Sequence, residues 1–174
     1  MDFYINFVKT YPLMSSAAQF AVLGTLGEMI ALFLKRKKLS TGWTPWVFIG
    51  KILAWAILGI IIKYGFIGMK GFVSTLFANN LLPAFLKSGV LYAFTISFFT
   101  NLFFGPQMMV FHRIEDNIIE GKWTFAGIEK AWFTLLWFWI PAHTITFSLP
   151  GHLQIGLAAV WGLVLGIILG TAKK

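Results

Sequence analysis

Residues 12–38 read PLMSSAAQFAVLGTLGEMIALFLKRKK, an apolar stretch that begins at a proline and ends in four consecutive basic residues. A helix needs about 20 mostly apolar residues to cross the hydrocarbon core of a bilayer, and this stretch is long enough. Four further stretches of similar character follow, joined by short polar connections. The pattern predicts an all-α, polytopic membrane bundle of about five transmembrane helices, at residues 13–34, 46–68, 88–111, 123–149 and 153–172.

The composition supports a membrane protein. Of 174 residues, 58% are hydrophobic and 11% are charged, whereas an ordinary globular domain carries about 25% charged residues. Cysteine is absent, which excludes disulfides, thiolate metal sites and cysteine nucleophiles. No polar linker divides the chain, so residues 1–174 are expected to form a single integral-membrane domain. Segment 72–86 is too short to span and contains Asn79, Asn80 and Pro83, so it is expected to be a short interfacial or re-entrant helix.

The net charge of +8 lies at the ends of the apolar stretches. Basic residues at the ends of membrane helices are enriched in cytoplasmic loops and are attracted to anionic lipid. Lipid is therefore the expected partner, and nucleic acid is not. With five spans, one face carries nine basic residues and the other carries four, which predicts an outside N-terminus and an inside C-terminus. The nine are Lys35, Arg36, Lys37, Lys38, Arg113, Lys122, Lys130, Lys173 and Lys174.

Glu28 lies about two turns before the end of the first stretch, where an ionisable side chain is costly unless it faces a partner or a wet cavity. Lys51 lies at a similar depth in the second stretch, which enters from the same face at about Trp46. At 1.5 Å per residue the two side chains are nearly level, which predicts a Glu28–Lys51 ion pair. The alternative is that Lys51 extends its amine to the headgroups and pairs with nothing.

The third stretch carries Asn101, the helix-break candidates Gly105 and Pro106, and then a charged segment. His112 and Asp116 share a helical face at i, i+4, a spacing that suits a metal ion or a proton relay as well as simple pairing at the membrane rim; Arg113 lies between them. The second histidine of the zinc-protease pattern is missing. No metal site, no cofactor and no catalytic residue are therefore predicted.

The fourth stretch contains a further helix-break candidate, Pro141, followed by His143, which is expected either to bond a neighbouring helix or to line an aqueous path. In the last stretch Gly162, Gly166 and Gly170 are spaced by four residues. Small residues at this spacing allow close helix contact, either within the bundle or between protomers of a homo-oligomer.

Taken in order, these landmarks resemble the twenty-two-kilodalton peroxisomal membrane protein family, which includes an inner-mitochondrial protein tied to mitochondrial DNA maintenance. Family members carry a proline and, sixteen residues later, a Gly-Asp pair in the first span, where this chain has Pro12 and Gly27-Glu28. The family's Asp-Gln-x-x-Phe-Ala-Pro is similar to residues 100–106 here. Further similarities lie at Lys51, Gly65-Phe66-Ile67-Gly68, Trp139 through His143 to Thr146-Phe147, Leu149-Pro150 and Trp161.

The resemblance covers nearly the whole chain, but each motif departs from the family pattern. Glu replaces Asp at position 28, His replaces Gln at 143, and Gln154 stands where the family has Arg, so an anion contact made by that Arg is not expected here. The resemblance implies a distant, bacterial-type member. It also implies a multi-pass protein of the bacterial inner membrane or, in a eukaryote, of the mitochondrial inner or peroxisomal membrane.

The family resemblance implies a channel-like protein that passes ions or small metabolites. The polar candidates for such a path are Glu28, Lys51, Asn101, His112, Arg113, Asp116 and His143, which are expected to line a narrow polar vestibule. Two alternatives remain open. One is a non-conducting scaffold in which these residues only lock helices together. The other is a membrane-embedded lipid-modifying enzyme, which the absence of a Ser-His-Asp order or a phosphate loop argues against, so no enzymatic activity is expected.

Overall fold

The computed structural model describes residues 2–37 and 40–171, without the side chains of residues 169–171. Lys38, Lys173 and Lys174, and the surroundings of Gly170, lie outside the described residues. The described chain forms helices and no strand. The α-helices are α1 (Asp2–Thr10), α2 (Pro12–Arg36), α3 (Pro45–Ala78), α4 (Gly89–Phe99), α5 (Gly105–Glu120), α6 (Ile128–Thr134), α7 (Ile140–Ser148) and α8 (Gly151–Thr171).

Two of these helix pairs are continuous. A π-helical turn, Thr100–Phe104, joins α4 to α5, and a second, Leu135–Trp139, joins α6 to α7. Each π turn ends two residues before a proline, Pro106 or Pro141. A proline lacks the N–H that the regular ladder requires, and a wider turn re-pairs the neighbouring groups. The predicted breaks are therefore irregular turns within continuous helices, because the backbone re-pairs in the turn before each proline.

Within the described residues, four helices are long and apolar enough to cross a membrane: Pro12–Arg36, Pro45–Ala78, Gly89–Glu120 and Gly151–Ile168. The predicted span at 123–149 forms the helical segment 128–148 and is not among these four. Its hydropathy is lower because Glu129, Lys130, Pro141 and His143 dilute its apolar residues. The third helix runs nine residues beyond the predicted end at 111, so residues 112–120 are helical and not part of a loop.

The outward surface is apolar. Along α3 the side chains of Leu53, Ile57, Tyr64 and Ile67 are all exposed on the outside of the helices. Soluble monomers rarely expose contiguous apolar surface of this kind. The exposed side chains therefore suit contact with lipid.

The separate helix predicted at 72–86 is wrong. Helix α3 continues to Ala78, and residues 84–87 form a short 3-10 turn. Gly68 and Gly71 lie within the helix without ending it, because a single glycine weakens a helix only modestly. Termination comes at Asn79–Asn80, where Asn80 adopts a φ of 57°. At 1.5 Å per residue, the 34 residues of α3 extend about 50 Å and exceed a 30 Å hydrocarbon core, so the helix must tilt or protrude.

Helix α2 is central and packs on both α3 and α8. The Trp55 ring lies directly over Gly24, which leaves no room for a side chain there. At Gly27, an added Cβ would lie 2.9 Å from the Leu163 Cα, and one at Gly166 would lie 2.8 Å from the Gly27 carbonyl oxygen. Close backbone approach through small residues is the main means of helix association in lipid. The glycine at 166 is thus used within the chain.

The two ends of the bundle are built differently. Where α2, α4 and α8 begin and α3 and α7 end, large apolar side chains form the buried core. Beyond this core lies a polar layer in which Lys70 donates to Gln154 at 3.0 Å and Tyr4 donates to Gln19 at 3.1 Å. The opposite half holds a charged cluster and a cavity. The core residues are Phe20, Phe66, Val73, Phe77, Ala93, Ile96, Phe147, Ile155, Ala158 and Ala159.

Candidate functional site: a charged cluster at the mouth of an internal cavity

Lys51 lies at the centre of a cluster of carboxylates from α2 and α5. Its ammonium is 2.6 Å from Glu28 Oε1, 2.7 Å from Asp116 Oδ1 and 3.0 Å from Glu120 Oε1. Only 1% of the Lys51 side chain is exposed. The predicted Glu28–Lys51 pair is present, and the alternative of a lysine extended to the headgroups is wrong. One lysine therefore connects three helices.

Two tryptophans contact the ion-paired groups, Trp55 at Glu28 and Trp43 at Lys51. Trp55 lies one turn after Lys51 on α3, and its indole Nε1 donates to Glu28 Oε2 at 3.1 Å. The Trp55 ring packs against the His112 ring with 4.6 Å between centroids. The Lys51 ammonium also lies over the Trp43 ring, 5.8 Å from nitrogen to ring centroid. Each polar atom of Glu28 thus has a specific partner.

The cluster carries more negative than positive charge. Glu28, Glu115, Asp116 and Glu120 face Lys51 and His112, so at least two negative charges remain even with a protonated histidine. His112 is 3.8 Å from Glu115 Oε2 and 3.9 Å from Asp116 Oδ2, distances too long for hydrogen bonds. The cluster therefore has an electrostatic preference for an additional cation.

Glu28, His112 and Asp116 place one ligand atom each within 4.8 Å of one another, close enough to share a metal ion. Lys51 already contacts one oxygen of Glu28 and one of Asp116, so two of the three candidate ligands are engaged by the lysine. The geometry fits an internal ion pair better than a metal centre. The expectation of no metal stays a prediction.

A cavity of about 340 Å³ extends from this cluster into the bundle. Glu28 and His112 line its mouth, and Asn101 and His143 line its deep end, about 16 Å further along α5 and α4 at 1.5 Å per residue. Whether the polar candidates form a path stays a prediction, since those that line the cavity lie at its two ends. The walls between these ends are apolar. They consist of Trp55, Leu58, Ile62, Phe104, Met108, Met109, Leu135, Trp139, Gly162 and Leu165, among others.

The deep end of the cavity has its own polar pair. Asn101 is 4% exposed, and its amide nitrogen donates to the Ser97 carbonyl at 2.8 Å and approaches His143 Nδ1 at 3.1 Å. Since an amide nitrogen only donates, Nδ1 accepts, and a neutral His143 carries its proton on Nε2. Asn101 Oδ1 and Trp139 Nε1 have no hydrogen-bond partner among the described residues. Both side chains line the cavity.

The two π turns meet beside this deep end. The first contributes Asn101 to the cavity and the second contributes Trp139. A Cβ at Gly105 would lie 2.8 Å from Leu135 Cδ2, so glycine permits the two turns to approach closely. Wider turns of this kind occur frequently at functional sites.

A second hollow of about 460 Å³ lies on the other side of Asn101, between the α4–α5 and α6–α7 helices. Its walls include Leu102, Phe133 and Leu136, all exposed on the outside of the bundle. It is a groove on the outer surface of the helices and is distinct from the internal cavity.

The structure brings the predicted site residues together in two groups: Glu28, Lys51, His112 and Asp116 at the mouth, and Asn101 and His143 at the deep end. Arg113 is half-buried on α5 and does not line the cavity. Gly105 and Pro106 begin α5, and Pro141 lies in the first turn of α7. Gly162 faces the cavity, and a Cβ added there would meet no atom within 4 Å. A contact between protomers through the α8 glycines stays a prediction.

Sequence reasoning missed Trp55, Trp139 and the role of Glu120. Trp55 follows Lys51 at i+4, so helical periodicity already places the two on one face. Glu120 follows Asp116 at the same interval. Both were therefore accessible from spacing once the Lys51 position had been identified. Trp139 had no such signal, because only the π turn directs it inward.

Family models, curated proteins and solved structures yielded no match to this chain. The resemblance to the twenty-two-kilodalton peroxisomal membrane protein family therefore stays a prediction.

Proposed function

We propose that this chain is a channel-like membrane protein that passes ions or small metabolites by way of its internal cavity. The observation that carries the proposal is the cavity itself. It begins at a charged cluster near one end of the helices and reaches the Asn101–His143 pair deep in the bundle. A volume of about 340 Å³ has room for roughly ten waters. Simple anchoring in a membrane requires no such space.

The proposal includes a fifth membrane crossing, by the α6–α7 segment. Ser97 Oγ on α4 donates to the Ile140 carbonyl at 2.7 Å, so this segment lies deep against its neighbour. Leu135, Trp139 and His143 from the same segment line the cavity. A segment that forms the wall of a buried cavity must lie at the depth of the other helices. Its hydropathy is low because that wall carries polar and aromatic side chains.

The cavity has a mouth and a closed end. Phe20 and Phe66 belong both to its wall and to the buried core, and Phe66 packs on Phe147 at 4.7 Å between centroids. Passage across the membrane therefore requires these rings to move apart. We assign the gate to this aromatic contact, next to His143, whose ring lies 5.4 Å from Phe66.

Flux measurements in liposomes test this proposal. Purified protein is reconstituted, and the release of monovalent ions and of small organic solutes is followed after dilution. Phe66→Ala removes the ring at the gate and is expected to raise flux, whereas Gly162→Phe fills the cavity and is expected to abolish it. Gly68→Phe is the matched control, since Gly68 lies in open space on the outer side of α3. No flux of any solute through either the wild type or Phe66→Ala would refute the proposal.

A second candidate, a non-conducting scaffold, is favoured by one observation. Lys51 is saturated by three carboxylates on two other helices, which is the arrangement expected of a structural lock. If the protein is a scaffold, Gly162→Phe should leave its assembly in the membrane unchanged. The same variant thus separates the two functions.

A further inference from the structure

We infer that the cavity binds an amphiphilic organic cation, with its amine at the Glu28 end and its apolar body along the walls. The inference rests on the proposed function, because it names the chemical class of solute for the same cavity. Three independent features support it: the charge of the mouth, the character of the walls and an unpaired amide at the deep end.

The charge of the mouth selects the sign of the ligand. Among the described residues, Lys51 is the basic side chain that forms ion pairs with the acids of the cluster. The cluster still has a net charge of at least two negative units. Glu28 is the acid of this cluster that lines the cavity, and Asp116 and Glu120 lie around the same lysine. An ammonium group at the mouth would therefore lie next to a net negative charge. An anionic ligand would meet the same charges with repulsion.

The walls select an apolar body. Between the mouth and the deep end the lining consists of Leu58, Ile62, Met108 and Met109, with the rings of Trp55 and Phe104 nearby. Tryptophan provides a face for a cation, and methionine adapts to ligands of different shape. A fully hydrated inorganic ion finds few oxygens along these walls. At about 340 Å³ the cavity lies at the small end of ligand pockets.

The deep end supplies an observation independent of charge. Asn101 is 4% exposed and lines the cavity, and its Oδ1 has no partner in the described part of the chain. Trp139 also lines the cavity, and its Nε1 donor is unpartnered among the described residues. Buried polar atoms are nearly always paired in native proteins. The unpaired amide oxygen favours a ligand that carries a hydrogen-bond donor at its far end.

Binding of three matched probes tests the inference. 4-Phenylbutylamine, 4-phenylbutanol and 4-phenylbutyrate share one apolar body and differ in charge. Each is titrated by calorimetry into the purified protein in neutral-lipid nanodiscs, with empty nanodiscs as the blank. The amine is expected to bind at least about tenfold more tightly than the alcohol, because one additional ion pair in a partly buried site is worth about that factor. The butyrate is expected to show no binding.

Variants locate the binding. Gly162→Phe should abolish amine binding, whereas Gly68→Phe should leave it unchanged. Glu28→Gln should reduce the preference for amine over alcohol; if that variant fails to fold, Asp116→Asn provides the same test. Equal binding of all three probes, or amine binding that survives Gly162→Phe, would overturn the inference.

The inference and the proposed function can fail separately. Amine binding in this pattern without any flux in liposomes would support the cation site and refute the channel. Flux that Gly162→Phe abolishes, in a protein that does not bind the amine, would support the channel and refute the cation site.

Discussion

Removal of the Lys51 ammonium is the sharpest test of the charged cluster. The change is Lys51→Met, which keeps an unbranched side chain of similar length and deletes the charge. Lys51 contacts Glu28, Asp116 and Glu120 at 2.6, 2.7 and 3.0 Å. At an effective dielectric constant of 20, each such contact is worth about 6 kcal/mol of Coulomb attraction. Mutual repulsion of the acids and the lost hydration of the ammonium offset most of that sum.

The expected net loss is about 3 kcal/mol. Deleting one partner of a buried ion pair typically costs about 3–5 kcal/mol, and the lower value applies because Glu28 and Asp116 retain side-chain exposures of 22% and 19%. For a chain of this size the loss lowers the melting temperature by about 6–12 °C. Thermal unfolding followed by circular dichroism in a fixed detergent measures it.

Two further variants make this test specific. Lys63→Met, on the same helix but outside the cluster, should shift the melting temperature by no more than about 2 °C, the range typical of surface changes. Asp116→Asn in the Lys51→Met background should recover part of the loss, because it removes one of the unpaired charges. If Lys51→Met melts within about 2 °C of the wild type, the cluster is not an energetic lock.

Two other predictions concern packing and hydrogen bonding. Gly27→Leu should prevent α8 from docking, since even a Cβ would lie 2.9 Å from the Leu163 Cα; a loss of the cooperative melt is the expected result, and an unchanged melt would contradict the close contact. Trp55→Phe keeps an aromatic ring at this position and removes the donor to Glu28, so it should lower the unfolding free energy by about 1.5–3 kcal/mol, as for a hydrogen bond to a charged group. Trp46→Phe, at a side chain that is 75% exposed, is the control for indole loss and should have no measurable effect.

The approximate positions of the apolar helices follow from length and hydropathy, which are properties of each segment alone. Depth also follows from the sequence, because helical rise converts residue number into distance from the membrane rim. The Glu28–Lys51 pair was predictable for that reason. The end of α3 was not predictable, because Gly68, Lys70 and Gly71 together resemble the end of a helix. Only the structure shows that Lys70 donates a hydrogen bond to Gln154 within the bundle.

The sequence by itself predicted the class of protein and the position of the charged residues along each helix. Both follow from properties of a single segment, namely its apolar length and the cost of placing a charge within it. Tertiary structure decided what those residues do. Whether Trp139 faces the cavity or the outside depends on the direction in which its side chain leaves the helix axis. The π turn changes that direction, and the hydropathy of the sequence does not reveal the turn. The cavity likewise exists only where α2, α3, α5, α8 and the α6–α7 segment leave space between them. That space is set by which faces pack, so no single segment contains the information.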